Sequence, residues 1–186
     1  MSYDFKWNKL NANMVDFAFP HRYSNFVSLA TALTLSRIQA QASLVEQVVK
    51  DHVKYGASSS SRSTLTPAFF VNVYPFESKL LAVKAFAKKS FRMPTFNDLY
   101  YADMGNSKLN PESALQYDLG FVLNKDWKQG IVDHFRLQVD GYYNTVYDKI
   151  VAYPKGQQFR WTMLNLGKVH IKGVDAMAEV GLEPAK

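Results

Sequence analysis

The chain has 186 residues, 22 Lys plus Arg against 16 Asp plus Glu, a formal net charge of +6 and no cysteine. That suffices for one domain with its own core and leaves no disulfide or thiolate metal site. No basic run exceeds two residues (Lys88-Lys89), so the charge has no nucleic-acid footprint, and no window approaches the roughly 18 apolar residues of a transmembrane helix.

A first strand is expected over roughly 3–19 and a second over 24–35, the latter carrying Val27, Leu29, Leu33 and Leu35. The third, 38–53, carries Ile38, Ala40, Ala42 and Leu44, and the parity change from Leu35 to Ile38 fits a tight turn at Ser36-Arg37. Within it Leu44, Val45, Val48 and Val49 also have helical spacing, so an amphipathic helix over 43–54 stands as an alternative. The fourth, 64–74, alternates through Leu65, Phe69, Val71 and Val73. The fifth, 79–92, sets Leu81, Val83, Ala85 and Ala87 against Lys84, Phe86, Lys88 and Ser90. The sixth, 113–124, sets Leu115, Tyr117, Leu119, Phe121 and Leu123 against Gln116, Asp118 and Asn124. The seventh, 132–152, is the cleanest, with Phe135, Leu137, Val139, Gly141 and Tyr143 opposed by Arg136, Gln138, Asp140, Tyr142 and Asn144. The eighth, 159–182, sets Val174, Ala176, Ala178, Val180 and Leu182 against Asp175, Met177 and Glu179. A period of two with charge on one face only is the pattern of a strand with two different environments.

The connections alternate too. Short turns follow the second, fourth and sixth strands, at Ser36-Arg37, "PFES" and "KDWKQGI". Loops follow the others: "PHRY", "YGASSSSRS", residues 93–112 and "YPKGQQF". Strands of soluble sandwiches usually run about 5–6 residues, whereas a tilted strand needs about 9–11 to cross a bilayer. Long strands with the longer loops at one end predict an all-β, antiparallel up-and-down meander of about eight strands in a membrane barrel. Two alternatives stand beside it. A passive porin or small eight-stranded membrane barrel requires the first and eighth strands to pair. A soluble β-sandwich binding domain requires the apolar faces to pack on each other.

The stretch "FRMPTFNDLYY", followed by "GNSKLNPE" and "YDLGF", resembles the barrel of TonB-dependent outer-membrane receptors. "YYNTVYDKIV" is similar to that family's rising strand, and "NLGKVHIKGVDA" to a later one, with Asp175 where Glu is more usual. The resemblance covers residues 64–182. It implies a 22-stranded transmembrane barrel filled by a plug, of which residues 1–186 are one partial domain, an internal slice without plug or remaining strands. It also implies active import of a large scarce nutrient such as a ferric siderophore, haem or cobalamin across the outer membrane of a Gram-negative bacterium. The partners it implies are outer-membrane lipid, the plug and the rest of the barrel, the inner-membrane TonB energy-coupling protein, and a small-molecule or metal-chelate ligand.

Residues 93–112 are then an extracellular loop, bracketed by Pro94 and Pro111, which cannot donate to a ladder. Tyr100, Tyr101, Asp103 and Met104 are its candidate ligand contacts, although tyrosines of a wet loop equally pack it on itself. Arg92 and Glu112 share the polar face of consecutive strands, so an ion pair clamping the loop base is expected. His21, His52, His134 and His170 have no metal-ligand spacing. Trp127, Tyr74 and Phe76 near the turns, and Tyr153, Phe159 and Trp161 near a loop, read as interfacial girdles. Asp175 and Glu179 lie too far apart for paired-carboxylate chemistry, and neither a catalytic constellation nor a cofactor motif is present.

Overall fold

The computed structural model describes residues 1–101, 104–127, 131–156 and 160–182. Its strands are β1 (Ser2–Lys9), β2 (His21–Thr34), β3 (Ile38–His52), β4 (Arg62–Val73), β5 (Leu81–Arg92), β6 (Glu112–Asp126), β7 (Val132–Lys155) and β8 (Arg160–Leu182), with one short helix, α1 (Phe96–Tyr100). Each strand pairs antiparallel with the next, giving a single eight-stranded sheet in sequence order. Among the described residues β1 and β8 do not pair, so the sheet is open rather than a closed small barrel, and no second sheet lies against it as a sandwich requires.

The strands are long, 15 residues in β3 and β6, 24 in β7 and 23 in β8. The segment 43–54 is strand, not helix, through His52. Every residue of Gln39–Val49 has partners in both β2 and β4, and two-sided pairing overrides a helical spacing that is only local. The first strand ends at Lys9, ten residues short of the expected end. There Leu10 N–H donates to the Pro20 carbonyl at 3.0 Å, while Asp16 and Phe19 adopt φ of 59° and 49°, which a strand cannot hold. Residues 10–20 therefore belong to the loop end. So do 53–61, 93–111 and the β7–β8 connection, whereas 35–37, 74–80 and the β6–β7 connection lie at the opposite end.

Registers carry one face through the whole sheet. Arg22 opposes Asp51, Val49 opposes Arg62, Phe70 opposes Phe86, Lys84 opposes Gly120, Gly120 opposes Asp140, and Asp140 opposes Asp175. This inner face is polar in mid-sheet. Lys84 Nζ reaches Asp140 Oδ1 at 2.8 Å across β6, and Gln138 Nε2 donates to Asp140 Oδ2 at 2.7 Å. Gly120 permits that reach, since a Cβ there would lie 2.7 Å from the Val139 carbonyl oxygen and closer still to the Asp140 carboxylate. The other face shows Leu29, Leu33, Leu44, Phe69, Leu119, Val174 and Val180 exposed. A soluble protein does not leave so continuous an apolar face uncovered; a bilayer covers it.

Candidate functional site

The loop end of the inner face is where the chain buries most of its enclosed side chains. β5 ends at Arg92, and Pro94 then removes a donor from the ladder. Thr95 caps α1 through a capping box: Asp98 N–H donates to Thr95 Oγ1 at 3.2 Å and Thr95 N–H to Asp98 Oδ2 at 2.8 Å. The chain then returns tightly over its own helix, with Gly105 N–H on the Tyr101 carbonyl at 2.7 Å and Asn106 N–H on that of Asp98 at 2.8 Å. A Cβ at Gly105 would sit 2.6 Å from Tyr101 N and 2.8 Å from the Leu99 carbonyl. Only glycine fits that approach.

This loop is docked to both flanks of the sheet. Leu99, Tyr100, Leu109 and Ile150 form a buried cluster with Ala18, Val53, Phe96 and Met163 around it. On the β8 side, Met163 N–H donates to the Met104 carbonyl at 3.0 Å, and Asn106 Nδ2 to that of Met163 at 3.0 Å. Asn165 Nδ2 donates to the carbonyls of Asn110 and Asp148. On the β2–β3 side, Arg22 grips Asp51 through Nε and Nη2 at 2.6 and 2.8 Å, and donates to the Pro94 carbonyl at 2.9 Å. Tyr100 Oη donates to Asp51 Oδ2 at 3.1 Å and accepts from Ser59 N–H at 3.0 Å. Burial, with the Asp51 carboxylate, pushes the Tyr100 hydroxyl above its ordinary range against the Ser59 amide, so it remains a donor. The Phe96 ring lies 5.0 Å from the Arg22 guanidinium.

Arg92 and Glu112 are register partners at the mouth of the β5–β6 hairpin. Arg92 Nε and Nη2 donate to Glu112 Oε2 and Oε1, both at 3.0 Å. Ile150 N–H donates to Glu112 Oε1 at 2.7 Å, and Lys149 Nζ stands 3.3 Å from it. The pair lies at the loop end, beyond the roughly 9–11 residues a tilted strand needs to cross a bilayer. Burial pushes the Glu112 carboxyl up, but the hydrogen bonds from Arg92, Ile150 N–H and Lys149 outweigh it and hold it at about 2. A folded-state value below the unfolded one near 4.3 gives stabilisation that is complete above about pH 5 and lost as the pH falls towards 2. Amide protection in 93–111, corrected for intrinsic exchange, should therefore hold from pH 7 to 5 and drop between about 4.5 and 2. Glu112→Gln should lower it at neutral pH by about 1–2 kcal/mol and remove that drop. A wild-type profile flat to pH 2 would show that the pair does not hold the loop.

Of the candidate loop residues, Tyr100 is buried, Tyr101 is 43% exposed and Met104 is half-buried; Asp103 lies outside the described residues, as does Phe159. The Arg22–Asp51–Tyr100 network escaped sequence reasoning; its partners stand 29 and 49 residues apart. The Thr95-x-x-Asp98 capping spacing was a local signal for α1. His21 and His52 meet as stacked rings 5.2 Å apart, yet among the described residues no group of three or more metal-binding side chains converges.

Comparison with known proteins agrees with this geometry. Residues 7–183 match the family model described as TonB dependent receptor-like, beta-barrel. The chain is 30% identical over 94 residues to the vitamin B12 transporter BtuB of Vibrio vulnificus and 31% over 108 residues to that of Photobacterium profundum. These matches cover 50% and 53% of the chain but 14% and 16% of the relatives' lengths. Among solved structures it overlays on the Serratia marcescens hemophore receptor HasR with a TM-score of 0.74 at 13% identity, over 96% of this chain and 37% of that one. It overlays on the copper transporter OprC at 0.68 and 18% identity, over 90% and 27%, and on the Neisseria meningitidis iron transporter FrpB at 0.61 and 16%, over 87% and 24%. An open meander of long strands, apolar outside and polar within, and a family match over nearly its whole length make this chain a member of the TonB-dependent receptor β-barrel family.

Proposed function

We propose that the chain is part of the barrel wall of an outer-membrane receptor that actively imports a large scarce nutrient, a cobalamin, haem or ferric siderophore. The observation that carries this reading is the family match over residues 7–183, joined to a sheet whose apolar face has many large side chains exposed. The remaining strands close the wall, a plug fills the lumen, and an inner-membrane TonB protein supplies energy through that plug. The Arg92–Glu112 pair clamps the base of the extracellular loop, and the Arg22–Asp51–Tyr100 network fixes its far side. Tyr101 and Met104 are then the loop side chains offered to a ligand, with Tyr100 supporting them from beneath.

Cobalamin is the first ligand to test, because both relatives matched at 30% and 31% identity carry its name. The complete protein, expressed in a Gram-negative outer membrane, should bind one of the three ligand classes saturably, and collapse of the inner-membrane potential should abolish uptake. Uptake that is linear with concentration and indifferent to the potential would overturn the reading in favour of a passive pore.

A further inference from the structure

Two of the strands outgrow the sheet. The last pair between β6 and β7 is Ser113–Tyr147, but β7 and β8 stay paired beyond it, from Lys149–Leu166 to Lys155–Arg160. The outward apolar band of such barrels is about 25 Å tall, with strands tilted by about 40°. Counted from Leu182, which pairs with Val132 at the turn end, that height is reached near Lys172. The strand from Lys172 to Trp161 rises about 28 Å more. Tyr153 and Trp161, expected from the sequence at an interfacial girdle, therefore stand outside the bilayer on a ribbon that projects above the rim.

A free two-stranded ribbon is marginal in water, and this one is braced on the face that meets loop 93–111. That face carries Ile150, buried in the loop cluster, and Met163, packed against it. Met163 N–H donates to the Met104 carbonyl at 3.0 Å, and Asn165 Nδ2 to that of Asn110 at 2.9 Å. Alternation puts Ala152, Pro154 and Trp161 on the same face, with Pro154 and Trp161 register partners. The brace stops at Met163: Ala152 and Pro154 are exposed, and Trp161 is 46% exposed. The tip cations Lys155 and Arg160 pair in register on the opposite face, with Tyr153. An uncharged strip ending in a bare indole thus continues the loop cluster outward, about 7 Å beyond Met163. No bilayer reaches this height to cover it, and tryptophan is among the side chains that dominate binding energetics.

We propose that Trp161 is a specificity-determining contact for the imported ligand, taking a flat conjugated ring of that ligand against its indole, with Pro154 and Met163 beside it. Ring-on-ring stacking needs no counter-charge, which suits a face without cations. The contact rests on the import reading above and narrows it to ligands that carry such a ring, as against open-chain chelators.

The test is equilibrium binding to the complete detergent-purified receptor, with haemin, cyanocobalamin, a ferric tris-catecholate and a ring-free ferric trihydroxamate as probes. At least one ring-bearing probe should bind saturably. Trp161→Ala should weaken that binding at least about tenfold, and Trp161→Leu, which keeps apolar bulk without the ring, about fivefold. Trp161→Phe should stay within about threefold of the wild type. Tyr153→Ala, at the same height on the opposite face, should leave affinity unchanged. Heat-modifiable gel mobility in detergent checks that each variant is a folded barrel. Wild-type affinity in Trp161→Ala and Trp161→Leu overturns the contact, as does saturable binding of the trihydroxamate alone. A trihydroxamate that binds and loses as much as the ring-bearing probe overturns it too, because the indole then braces the ribbon instead. Failure of every probe to bind folded wild-type receptor overturns the import reading itself, whereas ring-probe binding that ignores residue 161 overturns only the contact.

Discussion

Replacing Asp51 with alanine should destabilise the loop end by about 3–5 kcal/mol, the usual cost of removing one partner of a buried ion pair. The Asp51 side chain is 1% exposed and that of Arg22 12%. The substitution would leave the guanidinium with the Pro94 carbonyl and the Phe96 ring, and would strip the Tyr100 hydroxyl of its acceptor. The damage should be local: hydrogen exchange should accelerate in 93–101 and at Ser59, while mid-strand amides of β6 and β7 stay protected. Arg22→Met combined with Asp51→Leu should recover most of the loss, since a packed apolar pair leaves no charge uncompensated. Loop protection unchanged in Asp51→Ala would show that the network decorates the loop rather than holding it.

Val139→Arg should cost about 2–4 kcal/mol, the penalty for a cation on the lipid face near mid-bilayer. Val139 sits outward between its apolar register partners Phe121 and Ala176, which offer nothing to offset an arginine. Gln138→Arg, one residue away, points inward beside Asp140 and should fold almost normally. Urea titration of both variants of the complete barrel in lipid vesicles separates the two faces. Equal stability would mean that the odd residues of β7 do not meet lipid.

Most of the architecture was legible because alternation is local. A period of two decides which side chains share a face, whatever the neighbouring strand is, and so it located β5 to β8 to within a few residues. Parity and hairpin topology also set Arg92 and Glu112 on one face at one level, and the β5–β6 register makes them direct partners. The weaker alternation of the first third misplaced the end of β1. Asn11, Asn13 and Asp16 tolerate strand or turn alike until a partner decides. There β2 begins pairing only at His21, opposite Lys9.

Only the tertiary structure decided what becomes of the loop. Arg22 meets the Pro94 carbonyl 72 residues on, and Asn106 meets Met163 57 residues on. Nothing periodic links such positions, and each side chain could as well have been solvated. What brings them together is the burial of Leu99, Leu109 and Ile150, which draws the loop onto the inner face and leaves polar groups there that must then be paired. Tyr100 shows the limit most clearly: only the fold brings its hydroxyl within 3.1 Å of the Asp51 carboxylate, 49 residues away.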